Sequence, residues 1–314
     1  MKAFVTGVAG FVGSHLTREL LARGHEVTGI DSFTDYYDPA IKRRNTANLE
    51  RARIVEADLN EADLRSLLSG HDVVFHQAGQ PGVRKSWGSD FREYISANIA
   101  ATQKLLEAAV ETPSLKRLVY ASSSSIYGNA ERYPTSELDR PEPVSPYGVT
   151  KLAAEHLCTL YAKNFGLPTV SLRYFTVYGP GQRPDMAFTR FTRAAVCDEE
   201  IVIYGDGTQV RDFTFVEDVV EANIAAGEST VQPGSIYNVA GGTSVDVNTV
   251  LKQLSEIAGH ELRVRHEGKV SGDVWQTGGA TTAIQTDIGW QPKVRLAEGL
   301  EAHYAWAQDT FGNA

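Results

Sequence analysis

A doubly wound parallel α/β sheet is the fold that the 314-residue sequence predicts. Three observations predict it. An apolar strand runs into a glycine turn and then a helix at the N-terminus; short apolar runs afterwards alternate with amphipathic stretches; and those runs end in small or acidic residues, where open α/β sheets place their ligands.

Lys2 to Thr6 is the first strand, TGVAGFVG the turn, and Leu16, Leu20 and Leu21 of SHLTRELLARG recur at helical spacing. Gly7, Gly10 and Gly13 permit a tight turn, admit a pyrophosphate to backbone N–H groups at a helix N-terminus, and let the helix pack on the strand. The spacing is GxxGxxG, one residue longer in its first gap than the usual dinucleotide fingerprint. Gly7, Gly10, Phe11, Val12 and Gly13 are therefore the first cofactor candidates. The second strand, EVTGID, ends in Asp31 at the expected distance of ~20 residues. A carboxylate there accepts from both adenosine ribose hydroxyls and repels a 2'-phosphate, so NAD is favoured over NADP. Lys42, Arg43 and Arg44 read as a solvated helix face.

RIVEADL, residues 53 to 59, is the third strand, with Asp58 and Leu59 placed to meet the adenine. DVVFHQAG, residues 72 to 79, is the fourth, and its Ala78-Gly79 end is small enough for a cofactor to pass. Helical periodicity runs unbroken through FREYISANIAATQKLLEAAV. Within it Asn98 is either a cofactor ligand or a satisfied core amide. KRLVYASSSSIYG is the fifth strand, ending in four serines. In SPYGVTK, Tyr147 and Lys151 lie four apart on one helix face, about 5 to 6 Å between Cβ atoms. An ammonium beside a phenol favours the phenolate, which makes Tyr147 a candidate general base. From about Gly179 the strict alternation gives way to shorter elements. The expected division is a dinucleotide-binding domain over residues 1–179 and a smaller substrate lobe over 180–314, some segments of which return to the first.

The formal charge of -9 offers no field to attract nucleic acid or an anionic membrane surface. Cys158 and Cys197 lack metal-ligand spacing and read as ordinary thiols of a reducing compartment, so no metal is expected. There is no run of about 18 apolar residues, and a cytoplasmic protein is expected.

TGVAGFVG, Asp31, the serine run, SPYGVTK, LRYFTVYGPGQRPDMAF, IYGDGTQVRDFTFVEDVVEA and GDVWQTGGATTAIQTDIGW stand in an order that resembles the extended short-chain dehydrogenase/reductase family. The likeness is to its nucleotide-sugar epimerase branch, and most of all to UDP-glucuronate 4-epimerases. The resemblance implies a Rossmann domain, bound NAD and a catalytic set of Tyr147, Lys151 and Ser123. It implies reversible oxidation of the sugar at C4, and a homodimer built on the helices near 89–110 and 147–165. Dehydratases of the family carry an Asp-Glu pair after the catalytic residue and UDP-glucuronate decarboxylases a Glu two residues after it; here these positions are Ser124 and Ser125. Thr176 replaces the asparagine of many hexose epimerases. Ser124, Ser125 and Thr176 are then donors for a sugar carboxylate, with Arg84 as charge partner. For the nucleotide, the resemblance implies Arg211 at the diphosphate, Arg183 helping from a lid-like loop, Tyr204 against the base and Asp273 at the uridine ribose. Relatives commonly place an arginine before the Gly-Asp pair, where this chain has KVSGD. A 4-epimerase of UDP-glucose or UDP-N-acetylglucosamine, and then a UDP-glucuronate decarboxylase, are the alternatives.

Overall fold

The computed structural model describes residues 1–268 and 274–312. Its strands, in chain order, are β1 (Lys2–Thr6), β2 (Glu26–Asp31), β3 (Arg53–Glu56), β4 (Val73–His76), β5 (Arg117–Ser123), β6 (Thr169–Tyr174), β7 (Thr176–Tyr178), β8 (Ile201–Tyr204), β9 (Val210–Phe215), β10 (Ser235–Val239), β11 (Ser244–Asp246) and β12 (Val264–Glu267). Alternation along the strands sends neighbouring side chains to opposite faces of the main sheet. Val5 and Phe75 therefore enter one core with Leu20 and Leu172, while Phe4 and Val74 enter the other with Leu105 and Tyr120. Both faces are covered, which is why these strands read as nearly continuous apolar runs.

The main sheet has the order β10-β6-β5-β4-β1-β2-β3, and all six pairings are parallel. The order reverses between β1 and β4, so the crevice for a ligand opens beyond their C-terminal ends. The expected doubly wound sheet is present. Its third and fourth strands are shorter than expected: β3 stops at Glu56, and Asp58 turns the chain by accepting from the Asn60 amide at 2.7 Å. The helix expected over 91–110 contains a π-helical turn at Ile95–Ala100, in which Asn98 is buried.

The helix Pro146–Phe165 has clear local causes. Ser145 caps it by accepting from the Gly148 amide at 3.1 Å, Pro146 occupies its first turn, and Gly166 ends it at φ 67°. Beyond Tyr174 the chain forms a β11-β9-β7 sheet and a β12-β8 pair around a separate core that includes Tyr178, Phe188, Phe213 and Leu254. The second half also returns to the first: β10 adds to the main sheet beside β6, and the helix Val216–Glu228 packs on the helix Phe11–Ala22.

Candidate active site

One cleft of about 1030 Å³ runs from the glycine turn past Tyr147 to Tyr204 and Arg211. Gly7, Gly10, Phe11, Val12, Gly13, Asp31, Asp58, Leu59, Ala78 and Gly79 line it, as do Ser123, Ser124, Ser125, Tyr147, Lys151, Arg84, Thr176, Arg183, Tyr204 and Arg211. Residues expected from widely separated motifs thus share one space. Asp273 lies outside the described residues.

Asn98 is the exception among the cofactor candidates, because it does not line the cleft. Its amide accepts from the Gln80 backbone at 2.7 Å and donates to the Gln80 carbonyl at 3.1 Å and to Thr150 Oγ1 at 2.9 Å. It is a satisfied core amide that ties the chain after β4 to the helix Pro146–Phe165.

The glycine turn fits a dinucleotide. At Gly7 φ is +69°, and a Cβ there would stand 2.8 Å from the Ala78 backbone nitrogen; at Gly13 it would stand 2.1 Å from the Gly7 carbonyl oxygen. Bare backbone is therefore required where the chain faces the cleft. The Asp31 carboxylate accepts from the Phe33 amide at 2.8 Å and the Ala9 amide at 3.1 Å, which fixes it at the end of β2. Lys42 is not on a solvated face: it is buried, donates to Thr34 Oγ1 at 2.9 Å and lies 5.0 Å over the Tyr37 ring. Arg43 faces outward and pairs with Glu56.

Helix geometry brings Tyr147 and Lys151 to one face, as their spacing requires. Ser123 accepts from the Ser125 amide at 3.1 Å and so starts the turn Ser124–Ile126, and its hydroxyl acts to lower the pKa of the Tyr147 phenol. The electrostatics differ from the expectation that Lys151 acidifies Tyr147. Burial raises the Tyr147 pKa above its ordinary value, and the groups pulling it back are the Ser123 hydroxyl and then the Arg183 guanidinium. The Lys151 ammonium instead lies 4.7 Å over the Tyr120 ring, and burial lowers its pKa to about 8.

Of Arg84, Arg183 and Arg211, Arg84 is the one whose contact differs from the sequence expectation. Arg84, expected beside a sugar carboxylate, stacks 4.6 Å over the ring of Tyr204. Arg211 donates to the carbonyls of Val274 at 2.6 Å and Trp275 at 3.2 Å. Arg183 is the guanidinium whose charge reaches Tyr147. Sequence reasoning missed Tyr36 and Lys85, which also line the cleft, with the Lys85 ammonium 4.7 Å over the Tyr36 ring. The available signal was an aromatic pair in the polar loop TDYYDP just after Asp31.

Comparison with known proteins agrees with this geometry. The chain is 40% identical over 315 residues to a Bacillus subtilis (strain 168) relative described as an uncharacterized UDP-glucose epimerase, YtcB, covering 99% of each chain. It is 33% identical over 339 residues to a probable UDP-glucuronate 4-epimerase of Rhizobium meliloti (strain 1021), covering 100% of this chain and 99% of that one. Among solved structures, the UDP-glucuronic acid 4-epimerase of Bacillus cereus, in complex with UDP-glucuronic acid and NAD, superposes with a TM-score of 0.95 at 42% identity, over 99% of this chain and 100% of that one. A model of the NAD dependent epimerase/dehydratase family matches residues 3–240. Aligned over its whole length and built on the same sheet, the chain belongs to the NAD dependent epimerase/dehydratase family.

Proposed function

We propose that this chain is an NAD-dependent 4-epimerase that interconverts UDP-glucuronate and UDP-galacturonate. The observation that carries this reading is the turn at Ser124 and Ser125, hydroxyl-bearing and free of acids, which shares one cleft with Tyr147, Lys151 and Arg183.

In this reading Tyr147 removes the proton of the sugar C4 hydroxyl while Ser123 holds that oxygen against the phenol. When bound, NAD supplies the redox chemistry, taking hydride from C4 and returning it to the opposite face. Lys151 supplies positive charge below the cofactor pocket, and Asp31 selects an unphosphorylated adenosine ribose. Oxidation at C4 makes the uronic acid a β-keto acid, which loses CO2 when its carboxylate bond aligns with the ketone π system. Ser124, Ser125 and Thr176 fix the carboxylate plane against that alignment, and Arg183 supplies the charge partner that the sequence had assigned to Arg84. Arg84, from the segment after β4, and Tyr204 and Arg211, from the lobe that begins near residue 180, hold the nucleotide end.

A neutral hexose is the second reading, favoured by the description of the Bacillus subtilis relative as a UDP-glucose epimerase. Incubation with UDP-glucuronate and separately with UDP-glucose, followed by NMR of the products, decides between them. UDP-galacturonate supports the first reading; turnover of UDP-glucose alone overturns it, and a UDP-pentose with CO2 identifies a decarboxylase. The Tyr147→Phe variant should lose at least about 100-fold in kcat.

A homodimer completes the proposal. Ile95 and Val110 of the 91–110 segment and Val149, Leu160 and Phe165 of the helix Pro146–Phe165 are exposed apolar side chains that support it. Light scattering on the purified protein tests it. A cytoplasmic location is supported by unpaired Cys158 and Cys197, and among the described residues no helix is long and apolar enough to cross a membrane. Cell fractionation tests the location.

A further inference from the structure

The helix Pro146–Phe165 presents three residues along one face, at positions 147, 151 and 155. The third, Glu155, is wholly buried and does not line the cleft. Its Oε2 accepts from Ser122 Oγ at 2.6 Å and from Arg173 Nε at 3.0 Å, and its Oε1 accepts from Arg173 Nη2 at 2.7 Å. Arg173, on β6, also donates through Nη1 to the Tyr127 hydroxyl at 2.5 Å and to the Glu137 carbonyl at 3.1 Å. The Tyr127 hydroxyl donates its own proton to Asn238 Oδ1 at 2.8 Å.

These bonds fall at informative places. Ser122 immediately precedes Ser123, and Tyr127 immediately follows the turn Ser124–Ile126. One carboxylate thereby joins the helix that carries Tyr147 and Lys151 to the strand that carries Ser123, and its guanidinium partner holds the far end of the serine turn. Stability alone is a poor reason for such a pair, because burying two charges costs about as much as their attraction returns, and apolar residues of like volume fill the same space as well or better. Apolar residues cannot, however, give Ser122 and Tyr127 directional hydrogen bonds.

We propose that Glu155 and Arg173 are positioning residues, which set the register between Tyr147, Ser123 and the Ser124–Ile126 turn by clamping Ser122 and Tyr127. They act through those residues and touch neither sugar nor dinucleotide. The inference rests on the epimerase reading, so the assay offers both UDP-glucuronate and UDP-glucose and continues with the sugar that the wild-type protein epimerises. Failure of the substrate assignment is then visible in the wild type alone.

Three variants test the clamp. Ser122→Ala removes one donor, Ser122→Thr restores the hydroxyl, and the double variant E155L/R173M replaces both charges with apolar bulk. With NAD binding retained, Ser122→Ala should lower kcat about tenfold, a single charge-assisted bond's worth, while KM stays within about twofold. Ser122→Thr should recover most of the loss, and the double variant should lose more than Ser122→Ala. Overturning results are a folded Ser122→Ala protein with kcat within about twofold of the wild type, or a loss in Ser122→Ala that Ser122→Thr leaves unrecovered. Should the double variant not fold, the two Ser122 variants decide.

Discussion

Arg183 grips Asp185 through two hydrogen bonds of 3.0 Å, Nε to Oδ1 and Nη2 to Oδ2, on the wall of the cleft that holds Tyr147. The fork leaves the guanidinium oriented, and its positive charge still pulls down the pKa of the Tyr147 phenol.

Arg183→Met should therefore move the acid limb of the pH–rate profile. Without the cation the Tyr147 pKa rises, less phenolate is present at a given pH, and the limb moves to higher pH. For every pH unit that the limb moves, the rate at a fixed pH on it falls about tenfold. The same variant should lose preference for a uronic acid over a neutral hexose, read as the ratio of kcat/KM for the two UDP-sugars. An unmoved acid limb would place the effective base elsewhere.

Lys151 sets a second pH expectation. Its pKa is lowered from 10.5 to about 8, chiefly by burial. As pH rises through about 8 the ammonium is lost, and kcat/KM should fall with it. Stability runs the other way. The folded chain sheds this proton before the unfolded chain does, so the cost of burying the charge is fully present below about 8 and is relieved as pH rises between about 8 and 10.5. Rate profiles and denaturant melts across about pH 7 to 10 check both signs.

Gly13→Ala tests the glycine turn. The added Cβ would stand 2.1 Å from the Gly7 carbonyl oxygen, which is backbone and cannot swing away. The variant should lose about 1–3 kcal/mol of stability and bind NAD at least about tenfold more weakly. Urea melts and calorimetric NAD titration read the two effects.

Ser124→Ala combined with Ser125→Ala tests the hold on the carboxylate. Removing the donors frees the carboxylate to align with the C4 ketone, so a larger share of turnover should end in CO2 and a UDP-pentose. The share is read by NMR of products from UDP-glucuronate. Unchanged partitioning would mean that the hydroxyls serve only the local backbone.

Much of this site was legible because its parts are set by local chemistry. GxxGxxG forces a turn that only glycine can make, and a four-residue spacing puts Tyr147 and Lys151 on one face of any helix. Runs of β-branched and aromatic residues buried on both faces announce a parallel sheet. Burial and long-range contact are different in kind. Lys42 sits in a cationic run and reads as solvated, yet the loop after β2 folds over it. The polar character of Asn98 is visible in the sequence, but whether its amide faces cofactor or core depends on where Gln80 and Thr150 arrive.

What the sequence by itself determined was the alternation of strands and helices in the first half, the glycine turn and the placing of Tyr147 and Lys151 on one helix face, since each depends on neighbours a few positions away. Tertiary structure decided which charge reaches which group. Burial raises the Tyr147 pKa and Ser123 and then Arg183 pull it back, Arg84 stacks on Tyr204, and Glu155 on its helix finds Ser122 and Arg173 on two separate strands. Electrostatic influence depends on distance and desolvation, and both are fixed only when segments far apart in the chain are packed together.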